Sequence, residues 1–180
     1  MDRLEQLLRN LRDRCPELEL RTEEPMSRHT TFRIGGPAAL MALPRTVGEA
    51  KAAVRAAGEL EIRPFFLGNG SNLLVPDEGY RGFVVKLCGL DQTQEVNRRL
   101  WAESGISLAR LAWAALGRGL AGLEFAHGIP GSLGGGVMMN AGAYGGEMKD
   151  VLVWVKAIDR DGYVRQYAAA ELELGYRTSR

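Results

Sequence analysis

Leucines near the N-terminus recur with the period of an α-helix. From Leu4 to Leu11 they fall at i, i+3, i+4 and i+7, a spacing that places them on one helical face. Pro16 closes the pattern, because proline ends helices. We therefore predict a helical N-terminal segment over residues 1–26.

Short apolar runs separated by turn residues follow between residues 27 and 88, and they predict a small β/α lobe. Thr31–Leu43 is typical of two short strands around a Gly-Gly-Pro turn. Pro64–Leu67 is an apolar run bounded by glycine and predicts a buried strand. A further strand is predicted at Phe83–Leu87.

One helix of this lobe has a defined start. Thr46 and Glu49 match the S/T-x-x-E capping box, in which both side chains satisfy free N–H groups of the first turn. The helix is predicted to run to about Gly58. Three of its residues are expected to face inward: Val47, Ala50 and Val54.

A second lobe is predicted over residues 89–180. Ser107–Arg118 is predicted to be helical. The expected apolar face of this helix consists of Leu108, Leu111, Ala112, Ala115 and Leu116. Val151–Asp159 alternates as a strand does, and Tyr163–Tyr167 is expected to return from an Asp-Gly turn and pair with it.

Composition limits the function classes. A length of 180 residues, with 46% hydrophobic and 25% charged residues, is ordinary for one globular domain or two packed lobes. The net charge of +1 provides no basic field for nucleic acid. Arg98-Arg99 is accordingly predicted to be a solvated turn. No apolar segment is long enough to cross a bilayer, so no membrane partner is expected.

Cys15 and Cys88 lie far apart and form no C-x-x-C pair, which indicates a reducing compartment. Early charges of both signs make the N-terminus unlike a signal peptide. We therefore expect a cytoplasmic protein. With two histidines the chain has no zinc-ligand pattern, and no metal site is predicted.

The first glycine-rich segment, Gly68–Asn72, directly follows a predicted strand. Small residues let successive N–H groups point into one concavity, and such a nest binds anions such as a diphosphate. A Rossmann G-x-G-x-x-G motif does not fit, because Leu73 stands where the third glycine belongs. A Walker loop is absent as well. The alternative of a plain turn stays open on this loop alone.

The second segment, Gly128–Glu147, contains eight of the chain's 23 glycines. Each glycine in regular structure costs about 0.5–1 kcal/mol relative to alanine. Apolar residues such as Val137 and Met138 argue against a flexible surface loop. We infer that this backbone closely approaches a flat or phosphorylated ligand.

Five motifs occur here in the order and spacing of the UDP-N-acetylenolpyruvoylglucosamine reductase family. They are His29–Pro37, Leu67–Val75, Gly122–Phe125, Gly128–Gly146 and Gly175–Arg177. From about residue 27 onward the chain closely resembles this family. The resemblance implies an α+β fold, the two-lobed PCMH-type FAD-binding domain, in which each lobe is a small sheet with helices.

The resemblance also implies binding roles for both glycine segments. FAD would be held non-covalently by Gly68, Asn69, Gly70, Ser71, Asn72, Leu73, Gly128, Ile129, Pro130, Gly131, Ser132, Gly135, Gly136, Asn140, Ala141 and Gly142. The first segment would bind the pyrophosphate. The second would bind pyrophosphate and line the isoalloxazine ring. Neither glycine loop contains histidine or cysteine, so no covalent bond to the flavin is expected.

The implied reaction belongs to peptidoglycan precursor synthesis. A hydride from NADPH reaches the enolpyruvyl group of UDP-N-acetylglucosamine enolpyruvate by way of the flavin, which yields UDP-N-acetylmuramate. Arg177 matches the family's catalytic arginine, and Tyr176 and Arg177 are expected to contact the UDP-sugar. A fixed guanidinium can hold the substrate carboxylate and stabilise charge that develops beside it.

The chain also departs from the family pattern. The family's proton-donating serine, late glutamate and substrate domain have no counterpart in these 180 residues, so we expect a fragment that is inactive alone. Ser179 is not that donor, and Gly136 stands where alanine is common. Two other functions stay open, namely another FAD-dependent oxidoreductase of the superfamily and a non-catalytic FAD-binding module. The sequence fixes neither the oligomeric state nor NADPH over NADH.

Overall fold

The computed structural model describes residues 2–180. The chain divides into two compact units. The first contains the chain up to Gly89 together with Ile158–Val164, and the second contains Leu90–Ala157 and Arg165–Arg180. Within residues 2–180, no helix is both long and apolar enough to cross a membrane.

The first unit is built on a mixed four-stranded sheet with two helices. The helices are α1 (Arg3–Arg14) and α2 (Val47–Glu59), and the strands are β1 (Glu19–Pro25), β2 (Pro37–Leu43), β3 (Phe65–Leu67) and β4 (Tyr80–Lys86). The strand order is β1-β2-β4-β3. Strand β1 is antiparallel to β2, whereas β4 runs parallel to both β2 and β3.

Alternating side chains of this sheet enter two separate cores. Leu40 and Phe83 pack with Leu7 and Leu11 of α1 and with alanines of α2. Met41 and Val84, one position along the same strands, pack on the opposite face with Leu67 and Val75. This period of two is the pattern of a sheet covered on both faces.

The second unit consists of short elements. They are β5 (Thr93–Val96), β6 (Arg99–Ala102), α3 (Leu108–Leu116), α4 (Leu133–Met138), β7 (Gly142–Ala143), β8 (Gly146–Glu147) and α5 (Met148–Val151). Strands β9 (Trp154–Ile158) and β10 (Val164–Ala168) pair with each other. Its core centres on Leu108, Phe125 and Met148.

The start of α2 agrees with the predicted Thr46 cap. The Thr46 side chain accepts from the Glu49 N–H at 3.2 Å, and the Glu49 carboxylate accepts from the N–H of Arg45 at 2.7 Å, one residue earlier than a capping box requires. The Ser107 side chain caps α3 in the same way. Arg98 lies in the exposed β5–β6 turn, as predicted. Asn97 and Arg98 have φ of 51° and 57°, which is typical of a two-residue hairpin turn.

Only the second of the two strands predicted within Thr31–Leu43 forms. Arg33 and Gly35 have φ of 57° and 121°, and such values interrupt an extended strand. The sequence pattern missed β1, so the predicted helical segment ends in a strand.

Four residues predicted to be inward are exposed instead. Phe65 and Phe66 are 37% and 49% exposed, and their strand β3 lies at the edge of the sheet. Val47 is 40% exposed at the first helical position of α2, and Leu116 is 64% exposed at the last position of α3. At helix ends, fewer neighbouring elements cover a side chain.

Candidate cofactor-binding segments and catalytic turn

The Gly68–Asn72 loop begins where β3 ends, at the carboxyl ends of two parallel strands. Open sheets of this kind bind ligands at that edge. The backbone N–H groups of Asn69, Gly70 and Asn72 donate to no acceptor within the described residues 2–180. Gly70 has φ of 64°, the left-handed conformation that turns neighbouring N–H groups into one concavity. This arrangement can bind an anion.

Residues 29–31 of the same unit support the loop. The Thr31 N–H donates to the Gly70 carbonyl at 3.1 Å. A Cβ added to Gly70 would lie 2.1 Å from the His29 carbonyl oxygen and 2.9 Å from the Thr30 Cα. Gly70 is therefore required by a contact inside the protein, and close approach of a ligand is not needed to explain this glycine.

The side chains of the loop, and of Leu73 directly after it, differ in their surroundings. The Cys88 thiol donates to Asn69 Oδ1 at 3.2 Å, and burial raises the pKa of Cys88, so the thiol stays protonated. Leu73 packs against the core that contains Val75, whereas Asn72 is exposed. The Cys88 bond fixes the amide orientation of Asn69, while Leu73 acts as a packing residue.

His29, in the stretch that supports the loop, belongs to a buried polar network. The His29 ring bonds to Glu24 Oε1 through Nε2 at 2.9 Å and to Lys86 Nζ through Nδ1 at 2.8 Å. An ammonium group can only donate, so Nδ1 accepts and the Nε2–H donates to Glu24. Burial lowers the pKa of His29, the Glu24 bond opposes this, and the Lys86 charge lowers it further. Burial raises the pKa of Glu24, but bonds from His29 and Arg21 outweigh it and lower the net value.

The unfolding free energy should therefore fall as the pH is lowered below the ordinary histidine pKa of about 6.5. Because the folded-state pKa of His29 lies below its unfolded value, the unfolded state binds more protons in this window. The stability present above the unfolded pKa is lost as the pH falls through the folded one. Glu24, whose pKa is also lowered, adds to the loss only at lower pH.

Denaturant unfolding at a series of pH values measures this slope. His29→Gln should flatten it. His127→Gln, which changes an exposed imidazole of the second unit, should keep the wild-type slope. An unchanged slope in His29→Gln would contradict the assignment of this titration to His29.

The second glycine segment contains a helix that the sequence did not predict, α4. The Ser132 side chain caps it by accepting from the Gly135 N–H at 3.5 Å. The N–H groups of Leu133 and Gly134 donate to the carbonyls of Ile106 and Ser104, each at 2.8 Å. The first turn of α4 therefore has few free donors for an anion.

Free donors of this segment lie before α4. The N–H groups of Gly128 and Gly131 donate to no acceptor within residues 2–180. A Cβ on Gly128 would meet nothing within 4 Å, and the φ of Gly128 is not left-handed. Neither packing nor backbone conformation explains this glycine. Ile129 packs against the core beside it, and Pro130 is exposed.

Other predicted binding residues of the segment have internal roles. A Cβ on Gly136 would lie 3.2 Å from the Leu108 side chain, and one on Gly142 would lie 2.9 Å from the Gly146 carbonyl oxygen. Ala141 is buried in the core of this unit. Packing inside the protein therefore excludes a side chain at Gly142, disfavours one at Gly136 and places Ala141 in the core.

Tyr176 and Arg177 form the tip of a tight turn between Gly175 and Thr178. The Gly175 N–H donates to the Thr178 carbonyl at 3.1 Å. Arg177 has φ of 55°, and its guanidinium lies 5.9 Å from the centre of the Tyr176 ring, which is 91% exposed. Within residues 2–180 the guanidinium forms no ion pair, so its charge is free to bind a carboxylate.

These observations fit a flavin dinucleotide. Unpaired N–H groups in both glycine segments are donors suited to a diphosphate. Gly128 provides an open backbone surface for a ring system. Each unit thus contains one segment with the donors and the space that the cofactor requires.

Sequence comparison decides the family. The sequence model for the FAD binding domain matches residues 38–167, which is more than half of the chain. The chain belongs to the FAD binding domain family. The prediction of an FAD-binding domain is confirmed.

Several relatives of this FAD-binding domain share one name. A UDP-N-acetylenolpyruvoylglucosamine reductase of Alkaliphilus oremlandii is 47% identical over 160 residues, 87% of this chain and 52% of that protein. The one from Geobacillus thermodenitrificans is 44% identical over 179 residues, 99% of this chain and 59% of that protein. The chain thus spans between half and three fifths of the length of these relatives.

Solved structures agree with the fold. UDP-N-acetylenolpyruvylglucosamine reductase from Thermus caldophilus matches with a TM-score of 0.72 and 37% identity, covering 90% of this chain and 56% of that one. Phl p 4.0202, a glucose dehydrogenase, matches with a TM-score of 0.66 at 17% identity, over 93% and 38% of the two chains. The second likeness shows the fold alone. The predicted two-lobed, PCMH-type α+β fold is confirmed.

Proposed function

We propose that this FAD-binding domain is the flavin-binding part of an NADPH-dependent reductase that converts UDP-N-acetylglucosamine enolpyruvate to UDP-N-acetylmuramate. The observation that carries the proposal is the exposed Arg177 turn, whose guanidinium has no ion pair in the described residues. It lies in a chain similar to proteins named as this reductase over most of its length. A free cation beside a flavin-binding segment suits a substrate that carries a carboxylate next to its reacting double bond.

Residues of the two segments would have distinct tasks. When bound between these segments' donors, FAD would supply the chemistry of hydride transfer from NADPH to the enolpyruvyl group. The N–H groups of Asn69, Gly70 and Asn72 would bind the diphosphate, and hydrogen bonds to charged groups contribute about 1.5–3 kcal/mol each. Gly128 and Gly131 would add donors from the second unit.

Arg177 would act on the substrate. Its guanidinium would hold the enolpyruvyl carboxylate in a bidentate pair and stabilise the negative charge that develops beside that carboxylate. Tyr176, stacked against the same guanidinium, would limit its rotation. The roles of Tyr176 and Arg177 rest on the resemblance of Gly175–Arg177 to the reductase motif and on the free charge of the turn.

The first experiment is a titration of the purified chain with FAD. We expect a yellow protein that releases free FAD on denaturation, because the proposed attachment is non-covalent. Gly128→Val should weaken binding at least about tenfold while the melting temperature stays close to that of the wild type, since its Cβ meets nothing within 4 Å.

Gly117→Val is the matched control. Gly117 is also exposed, and the nearest atom to its Cβ is the Trp113 carbonyl oxygen at 3.5 Å. This variant should bind FAD as the wild type does. A folded, colourless wild type that takes up no FAD would refute the proposal, and unchanged affinity in Gly128→Val would remove Gly128 from the binding surface.

A further inference from the structure

Asn140 is a buried polar residue at the end of α4, only 3% exposed. Its φ of 40° is left-handed, as is common for the residue that follows a helix, where glycine or asparagine occurs. Glycine would satisfy this backbone at no steric cost. The presence of asparagine in place of glycine therefore indicates that the side chain itself has a role.

The Asn140 amide is occupied inside the second unit. Its Nδ2 donates to Glu147 Oε2 at 2.5 Å and to the Gly175 carbonyl at 3.0 Å. Its Oδ1 accepts from the Lys149 N–H at 2.9 Å. Both donors and one acceptor site are used, so the side chain has no N–H left for a cofactor.

Gly175 is the first residue of the Arg177 turn. Ser179, the second residue after Arg177, is tied to α4 as well, because its Oγ donates to the Met138 carbonyl at 2.9 Å. The tip itself is exposed, so hydrogen bonds rather than packing hold it. A left-handed arginine is disfavoured in a free chain, and the turn therefore depends on these anchors.

We propose that Asn140 is a positioning residue for Arg177, tying the arginine turn to the end of the flavin-binding glycine segment. The proposal rests on the function proposed above and replaces the earlier assignment of the Asn140 side chain to cofactor binding. Through the Gly175 carbonyl, Asn140 sets the distance and direction of the guanidinium relative to α4.

Trypsin cleavage after Arg177 tests whether Asn140 holds the turn closed. Cleavage of the Arg177–Thr178 bond requires the turn to open, so its rate reports the population of the open form. Asn140→Gly keeps the left-handed backbone and deletes the amide. We expect cleavage after Arg177 to accelerate about tenfold, as for the loss of one or two hydrogen bonds. Cleavage after Arg118, outside this network, should not change.

Asn97→Gly is the control for the backbone. Asn97 is an exposed asparagine with φ of 51° in the β5–β6 turn, and its replacement should leave cleavage after Arg177 at the wild-type rate. The affinity of Asn140→Gly for FAD should stay within about threefold of the wild type. A cleavage rate within about twofold of the wild type would overturn the proposal. Loss of FAD affinity without faster cleavage would also overturn it and make Asn140 a cofactor ligand.

Asn140→Asp covers the case in which the glycine variant does not fold. It keeps the side-chain volume and the acceptor for the Lys149 N–H. It loses the N–H donors to the Gly175 carbonyl and to Glu147 Oε2, and its carboxylate faces that of Glu147. Faster cleavage after Arg177 is again expected, and an unchanged rate overturns the proposal. If the wild type binds no FAD, the proposed function fails, while the cleavage result still decides whether Asn140 anchors the turn.

Discussion

Arg177→Ala should lower kcat by about 10²–10³-fold in a full-length reductase that carries this domain, with FAD still bound. Removal of a single donor that stabilises developing negative charge has an effect of this size. The guanidinium of Arg177 forms no ion pair within residues 2–180, so no internal partner competes for it. Anaerobic NADPH consumption with and without the UDP-sugar measures the rate, and visible flavin absorbance measures the bound cofactor.

Arg98→Ala provides a matched control. Arg98 is also an exposed arginine with a left-handed backbone, and its φ of 57° is close to the 55° of Arg177. Arg98→Ala therefore has the same backbone cost without touching the turn at Gly175, and it should keep full activity. Arg177→Lys should recover part of the rate, because lysine restores the charge but not the bidentate geometry. Full activity of Arg177→Ala would make the arginine structural.

Local signals in the sequence predicted local structure well. Thr46 and Ser107 cap α2 and α3 because their side chains accept from N–H groups three residues later, a rule that needs no tertiary information. The β9–β10 pair follows from alternation and an Asp-Gly turn in the same way. The two glycine segments were also visible, because clustered glycine is uncommon without a packing or ligand reason.

Elements that depend on distant partners could not be predicted. Strand β1 has polar residues at most positions and exists because it pairs with β2. Helix α4 contains three consecutive glycines, which disfavour a helix on propensity. It forms because the Ser132 cap and the carbonyls of Ile106 and Ser104 hold its first turn. The apolar run around Phe66 predicts a buried side chain, but its exposure depends on the position of β3 at the edge of the sheet.

The roles of individual glycines were equally hidden. Gly70 and Gly128 each lie in one of the two glycine-rich segments, and the sequence does not distinguish their roles. The structure separates them, because a Cβ on Gly70 would overlap with backbone atoms and one on Gly128 would meet nothing within 4 Å. Substitution at Gly128 therefore tests the ligand, whereas substitution at Gly70 tests the fold that supports the first binding loop.

Gly70→Ala should destabilise the first unit by about 2–5 kcal/mol and abolish FAD binding. A left-handed alanine costs about 1–2 kcal/mol, and overpacking adds about 1–3 kcal/mol. The new Cβ would lie 2.1 Å from the His29 carbonyl oxygen, so His29 would have to move and its bonds to Glu24 and Lys86 would be strained. Denaturant unfolding and FAD titration measure the two effects.

Gly119→Ala isolates the contribution of the contact. Gly119 has the same φ of 64° as Gly70, but a Cβ there meets nothing within 4 Å. Gly119→Ala should therefore lose only the backbone part of the stability, about 1–2 kcal/mol, and should bind FAD normally. The difference between the stability losses of Gly70→Ala and Gly119→Ala measures the cost of the overlap with His29 and Thr30. Equal stability losses would mean that the Gly68–Asn72 loop does not pack on this stretch, and normal FAD affinity in Gly70→Ala would mean that the loop tolerates its displacement.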